Sequence, residues 1–310
     1  MLLGSAVAVF TASLLFGSVD LSFAQLEAAL RGSADGVTST VLFELRLPRV
    51  LAAFGVGAAL ALSGVLLQAL FRNPLADPFV IGVSGGAAVG ALIAMALGAG
   101  WLLTQSAAGL GALLAVLTVA ALSARADPAR LLLTGVIIAA SSGALVMLVL
   151  AAARDESLRG MLFWLAGDLS LARYPALTLA GAASAVAGAW LFARPLNVLA
   201  AGELRAQSVG LNLVLWRWIV FAAAALMAAV AVVSAGTIGF IGLIAPHLAR
   251  LLFRTSDHRI VAPAAAALGG TLLAAADLLA RTAIEPQQLP VGAVMALLGA
   301  PLFLLLLRRS

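Results

Sequence analysis

Long apolar runs separated by short polar breaks organise this chain from one end to the other. Ten apolar stretches stand out, near residues 1–19, 50–70, 79–99, 103–124, 131–152, 174–193, 213–234, 238–253, 261–280 and 291–307. A helix needs roughly 20 apolar residues to cross the hydrocarbon core of a bilayer. None of the runs alternates apolar with polar positions, and Ala, Leu and Gly dominate them, so they predict helices rather than barrel strands. The eighth run is short and holds Pro246, which predicts a tilted or broken helix. The first, Met1 to Val19, has no basic residue ahead of it, so a retained first span is expected rather than a cleaved secretory signal.

Within the runs, small residues recur every fourth position at Gly82, Gly86 and Gly90, and again at Gly135, Ala139 and Gly143. Such spacing lets helix backbones approach closely in lipid, so these positions are expected to pack rather than to bind phosphate. Two breaks place Asp before Pro, at Asp77-Pro78 and Asp127-Pro128. Both predict a helix N-cap followed by a first-turn proline. The longest inner break, residues 194–212, is semi-polar and interrupted by Gly202 and Gly210, which predicts two short helices joined at a glycine. A connector between two spans needs far fewer residues, so this loop is expected to be a cytoplasmic docking surface for a soluble partner.

Composition narrows the class. Of 310 residues 64% are hydrophobic and 10% charged, with a mean hydropathy of +1.14. Soluble domains carry about a quarter charged residues, so the expectation is a single all-α transmembrane domain spanning residues 1–310. There is no cysteine, which excludes disulfides, thiolate metal sites and cysteine nucleophiles. The net charge of +5 rests on 18 basic residues, all of them arginine. They sit singly or in pairs between apolar runs, not on a basic face, so nucleic acid is not an expected partner. With the N-terminus inside, the inner breaks hold Arg72, Arg125, Arg130, Arg194, Arg205, Arg217, Arg250, Arg254, Arg259, Arg308 and Arg309. The outer breaks hold Arg31, Arg46, Arg49, Arg154, Arg159, Arg173 and Arg281. The excess inside places both termini in the cytoplasm.

Little in the chain carries chemistry. A phosphate loop requires lysine, so ATP, if it drives this protein, is hydrolysed by a separate subunit. Gly82-Val83-Ser84-Gly85 matches the G-x-S-G pattern of rhomboid intramembrane proteases, with His247 as the conceivable base. Ser84 lies on the glycine stripe, however, and packing is the simpler account. His247 and His258 have no second ligand at i+3 or i+4, so no metal site and no cofactor are expected. Ser256-Asp257-His258-Arg259 predicts a cytoplasmic turn and helix cap. Asp277 is the one carboxylate placed to mark an ion pathway, and Arg281, four residues on, predicts a local ion pair instead. An ion-coupled secondary transporter, which calls for more intramembrane carboxylates, is the alternative reading.

Four segments together resemble one family. They are Leu45-Arg-Leu-Pro-Arg-Val-Leu-Ala; Gln68-Ala-Leu-Phe-Arg-Asn-Pro-Leu-Ala-Asp-Pro; Gly236-Thr-Ile-Gly-Phe-Ile-Gly-Leu-Ile-Ala-Pro-His-Leu-Ala-Arg; and Leu289-Pro-Val-Gly with Leu298-Gly-Ala-Pro-Leu-Phe. In order and spacing, residues 42 to 307 resemble the FecCD-type permeases of ATP-binding-cassette importers, which carry cobalamin, haem and ferric siderophores; the cobalamin permeases are a particularly near likeness. The resemblance implies a ten-helix, type II importer permease in the bacterial inner membrane. It implies a homodimer with two ATPase subunits on the cytoplasmic side and a periplasmic substrate-binding protein outside, moving a metal chelate such as a ferric siderophore, haem or cobalamin. It implies that Arg46, Arg49 and Arg281 dock the binding protein. Gly202, Glu203, Arg205, Ala206, Gln207, Ser208, Val209 and Gly210 would form the ATPase-coupling loop. Asp127, Pro128 and Ala129 would form the cytoplasmic gate loop, where proline and alanine replace the small hydroxyl residues of the cobalamin permeases.

Overall fold

The computed structural model describes residues 2–17, 20–123, 127–284 and 287–308. The described chain is helical apart from its connections and one isolated bridge between Ile284 and Gln287. Fifteen α-helices follow in order: α1 (Leu2–Leu15), α2 (Phe23–Leu30), α3 (Gly36–Ser39), α4 (Leu47–Phe71), α5 (Val83–Ala96), α6 (Trp101–Leu122), α7 (Pro128–Ala152), α8 (Asp155–Ala166), α9 (Pro175–Leu191), α10 (Ala193–Ala200), α11 (Glu203–Ser208), α12 (Leu213–Ala235), α13 (Ile241–Phe253), α14 (His258–Thr282) and α15 (Val291–Leu307).

Each of the ten apolar stretches lies on a helix. The run Gly36–Phe71 together with α6, α7, α12 and α14 is long and apolar enough to cross a membrane unaided. Helices α9 and α10 form a sixth candidate span bent by 71°, and α1, α5, α13 and α15 are shorter apolar helices. The protein is a multi-pass membrane protein. The eighth stretch is short as expected, with Pro246 inside α13. Three helices went unforeseen, the short α3 among them. Helix α2 begins in a capping box, with Ser22 and Gln25 each satisfying the other's backbone N–H, and α8 follows α7 after a two-residue break.

Helix α4 is the hub. It packs against α14, α12, α9 and α13, and from Val50 to Leu70 nearly all of its side chains are buried. The chain enters it through a π-helical segment, Thr40–Arg46, just ahead of Pro48. Proline has no N–H to continue the i→i−4 ladder, and the wider register fits the missing donor; π segments of this kind are frequent at functional sites. At the other end of α4, Gln68 Nε2 donates to the Gly242 carbonyl at 3.1 Å, and Arg250 bonds Gln68 Oε1, tying α4 to α13.

The small-residue stripes are partly as expected. A side chain at Gly86 would run into the Gly111 carbonyl, and one at Gly90 into that of Ala107, so α5 and α6 meet backbone to backbone. Gly82 has a different reason. It sits at φ 78°, capping the turn Pro78–Ile81 before α5 begins, a left-handed conformation that favours glycine. Gly143 faces open space. The predicted caps form: Asp77 Oδ1 accepts from Phe79 N at 2.9 Å, and Asp127 Oδ1 from Arg130 N at 2.9 Å.

Candidate functional site

The polar side chains gather at the two ends of α4 and α14. Arg49 and Arg72 stand 23 residues apart on one helical rod, which puts the ends about 34 Å from each other at 1.5 Å per residue.

At one end lie Arg46, Arg49 and Arg281, the residues that the resemblance implies for docking, and each guanidinium already has work inside the chain. Arg46, at the end of the π segment, is 6% exposed and donates from Nη1 to the carbonyls of Leu14 and Leu15, both at 2.7 Å. Arg281 Nη2 donates to the Ser13 carbonyl at 3.3 Å. These are C-terminal carbonyls of α1, which a helix cannot satisfy internally and which carry its negative dipole end. Asp277 then holds the other two arginines. Its carboxylate accepts from Arg49 Nε at 3.0 and 3.1 Å and from Nη2 at 2.9 Å, and Arg281 Nε lies 3.1 Å from Oδ2. Arg49 Nη1 reaches Gln288 Oε1 at 2.9 Å. The expected local pair between Asp277 and Arg281 is therefore present, inside a larger cluster that joins α1, α4 and α14.

The same arginines line a cavity of about 620 Å³ that also takes in Gly17, Glu44, Ser170, Arg173 and Gln288. A guanidinium carries five N–H donors. Internal bonding therefore does not use up Arg49 or Arg281, and the cavity wall keeps a strongly positive character.

At the other end, residues 194–212 fold as two short helices meeting at Gly202, which adopts φ 109°, a backbone setting outside the range of L side chains. Two polar clamps fix the pair. Glu203 pairs with Arg217 on α12 and, at 3.5 Å, with Arg72 at the end of α4. Asn197 on α10 donates from Nδ2 to Asp257 Oδ1 at 2.9 Å, while its Oδ1 accepts from His258 N at 3.0 Å and lies 2.6 Å from His258 Nδ1. The Asn197 amide, with Arg259 N at 3.0 Å, holds the Asp257 carboxyl below the usual carboxylate range. Of the loop residues, Ala206 is fully buried, whereas Arg205, Gln207, Ser208 and Gly210 are exposed; Leu204 and Val209 stand out at 85% and 61% exposure. A cleft of about 540 Å³ lies between this pair and Arg72.

The profile of the FecCD transport family matches residues 5–309. The chain belongs to that family. Among curated relatives, this FecCD protein is 42% identical over 276 residues to the vitamin B12 import system permease protein BtuC of Klebsiella pneumoniae, covering 87% of this chain and 82% of that one. It is 41% identical over 286 residues to BtuC of Escherichia coli, covering 87% and 84%. A solved structure described as an inward-facing conformation of a metal-chelate type ABC transporter superimposes with a TM-score of 0.88 at 32% identity, covering 100% of this chain and 98% of that one. PsaBC from Streptococcus pneumoniae shares the fold, with a TM-score of 0.60 at 16% identity over 87% and 93% of the two chains.

Asp127 caps α7, and Pro128 and Ala129 are its first residues; Ala126 and Arg125 lie outside the described residues, as do Ser18, Val19 and Arg309. Ser84 on α5 and His247 on α13 make no hydrogen bond to each other. Helix α5 packs chiefly on α6 and α7, α13 on α14 and α4, and the His247 ring meets Phe303 edge-on at 6.2 Å. That arrangement supplies no nucleophile–base pair. Sequence reasoning missed Asn197, Arg72, Arg217, Leu204 and Gln288. Apart from the exposed apolar pair Leu204 and Val209, set five residues apart in a semi-polar loop, nothing local marked them.

Proposed function

We propose that this chain is the permease subunit of an ATP-driven importer in a bacterial inner membrane, that it acts as a homodimer, and that its cargo is cobalamin. The observation that carries the reading is the clamped α10–α11 element. A loop held rigidly to α4, α12 and α14 that turns Leu204 and Val209 outward is built to receive force from a soluble partner, and in an importer that partner is an ATPase subunit. Two such subunits dock at this end, and a substrate-binding protein docks on the Arg46, Arg49 and Arg281 end. Ten spans then place both termini in the cytoplasm, with residues 127–129 at the inner gate and the whole chain forming one transmembrane domain of the type II importer class. Identity above 40% to two vitamin B12 permeases supports cobalamin ahead of haem or a ferric siderophore.

In operation the chain provides no covalent chemistry. Partner binding at either end biases a two-state equilibrium between outward- and inward-open dimers, and each partner shifts it only by its differential affinity for the two states. The ion-coupled alternative loses its main support, because Asp277, its one candidate ion-binding carboxylate, is held by both Arg49 and Arg281.

The test is uptake of radiolabelled cobalamin, haem and a ferric siderophore in a strain lacking the gene and in its complemented control. Loss of cobalamin uptake alone, restored by the gene, is the expected result. Loss of haem or siderophore uptake instead would overturn the cargo assignment and keep the importer.

A further inference from the structure

A second cavity, of about 260 Å³, opens beside the first turn of α6 and is lined by Trp101, Gln105, Ser106, Arg173, Tyr174 and Ser234 among others. Arg173 also borders the arginine cavity, so this second site lies at the same end of the bundle. Two of its polar groups, on Gln105 and Arg173, keep hydrogen-bonding capacity that the fold does not use. Gln105 is 7% exposed, and its amide Oε1 has no hydrogen-bond partner. A buried acceptor of this kind is costly to leave unpaired and calls for a donor. Arg173 is exposed and has no carboxylate within ion-pair distance among the described residues. Its guanidinium lies 4.7 Å from the centroid of the Trp101 ring, which in turn tilts against Tyr174 at 5.7 Å. That contact fixes the guanidinium plane and leaves its N–H edge available.

The surroundings say where this cavity stands relative to the bilayer. From its first turn α6 exposes Leu102 and Leu103, then Leu110, Leu113 and Leu117 further along, a face made for hydrocarbon. Trp101 at the head of α6 and Tyr174 at the head of the neighbouring α9 mark the headgroup level. The cavity therefore opens where a lipid phosphate and the group beyond it would lie.

We propose that this cavity binds the headgroup of a phosphoethanolamine lipid. Arg173 and the Ser106 hydroxyl donate to the phosphate. The Gln105 amide, closed off in the unliganded cavity, turns so that Oε1 accepts from the primary ammonium, and the acyl chains run down the exposed leucines of α6. The ammonium is the discriminating group. A quaternary choline has the same charge and phosphate but no N–H, so it cannot satisfy Gln105. The site shares Arg173 with the arginine cavity and is independent of cargo.

The experiment is native mass spectrometry of the purified full-length permease, titrated with phosphatidylethanolamine or phosphatidylcholine of identical acyl chains. Wild-type protein is expected to retain phosphatidylethanolamine about tenfold more tightly, the worth of one charge-assisted hydrogen bond. Gln105→Leu, close in size, is expected to erase that preference, and Arg173→Gln to weaken retention of both lipids. Equal retention of the two lipids by the wild-type protein, or a preference that survives Gln105→Leu, overturns the proposal. Two separate variants guard against a single one failing to fold.

Discussion

Leu204→Asp combined with Val209→Asp is expected to abolish ATP-driven uptake while leaving the permease in the membrane at normal abundance. Both side chains point away from the chain, at 85% and 61% exposure, so charging them disturbs no internal packing. In a partner interface they would be buried, and an unpaired carboxylate there costs several kcal/mol. A loss of at least about 3 kcal/mol corresponds to a more than hundredfold drop in ATPase affinity. Uptake and ATPase co-purification should fall together. Normal co-purification by the folded double variant would show that these two residues are not the contact. Ala206 is unsuitable for the same test, although it belongs to the same loop. It is fully buried, and charging it would break the loop itself.

The second large effect concerns the arginine end. Reversing Arg49 to glutamate would set a second buried anion beside Asp277 and deprive Asp277 of its bidentate partner. Removing one partner of a buried pair costs on the order of 3–5 kcal/mol, so Arg49→Glu is expected to lower the amount of folded permease and says little about docking. Arg49→Gln is the informative change. It keeps a hydrogen-bonding group near Asp277 and Gln288 and removes one positive charge from the cavity wall. Binding-protein association should weaken about tenfold at low ionic strength, with the difference narrowing as salt screens the remaining charges. Fluorescence titration of the labelled binding protein against detergent-solubilised permease at two salt concentrations measures it. Equal affinity for the folded variant at both salts would leave Arg49 as a structural residue alone.

Local chemistry and apolar runs were legible in the sequence; long-range polar contacts were not. All ten hydrophobic stretches became helices because a run without polar periodicity has few other ways to satisfy its backbone in lipid. The caps at Asp77 and Asp127 formed because a cap needs only its own next three residues. The break at Gly202 was visible because few residues other than glycine adopt φ 109°. Helix α8 escaped notice because its polar first turn, from Asp155 to Arg159, masks the short apolar run that follows. The arginine end shows the limit most plainly. The pair Asp277 and Arg281 is four residues apart and readable on a helical wheel, whereas Arg49 reaches the same carboxylate from 228 residues away. Nothing in the composition of either segment announces that one acid serves two bases. Asn197 and Asp257 likewise meet across 60 residues, and the clamp they form only acquires meaning once α10 and the start of α14 are seen together.

The proposed importer moves its cargo with the energy of ATP supplied from outside the chain. The most direct measurement is cargo accumulation in proteoliposomes containing the permease and its ATPase and binding-protein partners, with ATP enclosed on the ATPase side and an ionophore present to collapse ion gradients. Accumulation that requires ATP and is indifferent to the ionophore is the predicted result. Accumulation that proceeds without ATP and disappears with the ionophore would contradict the account and return the protein to the ion-coupled class.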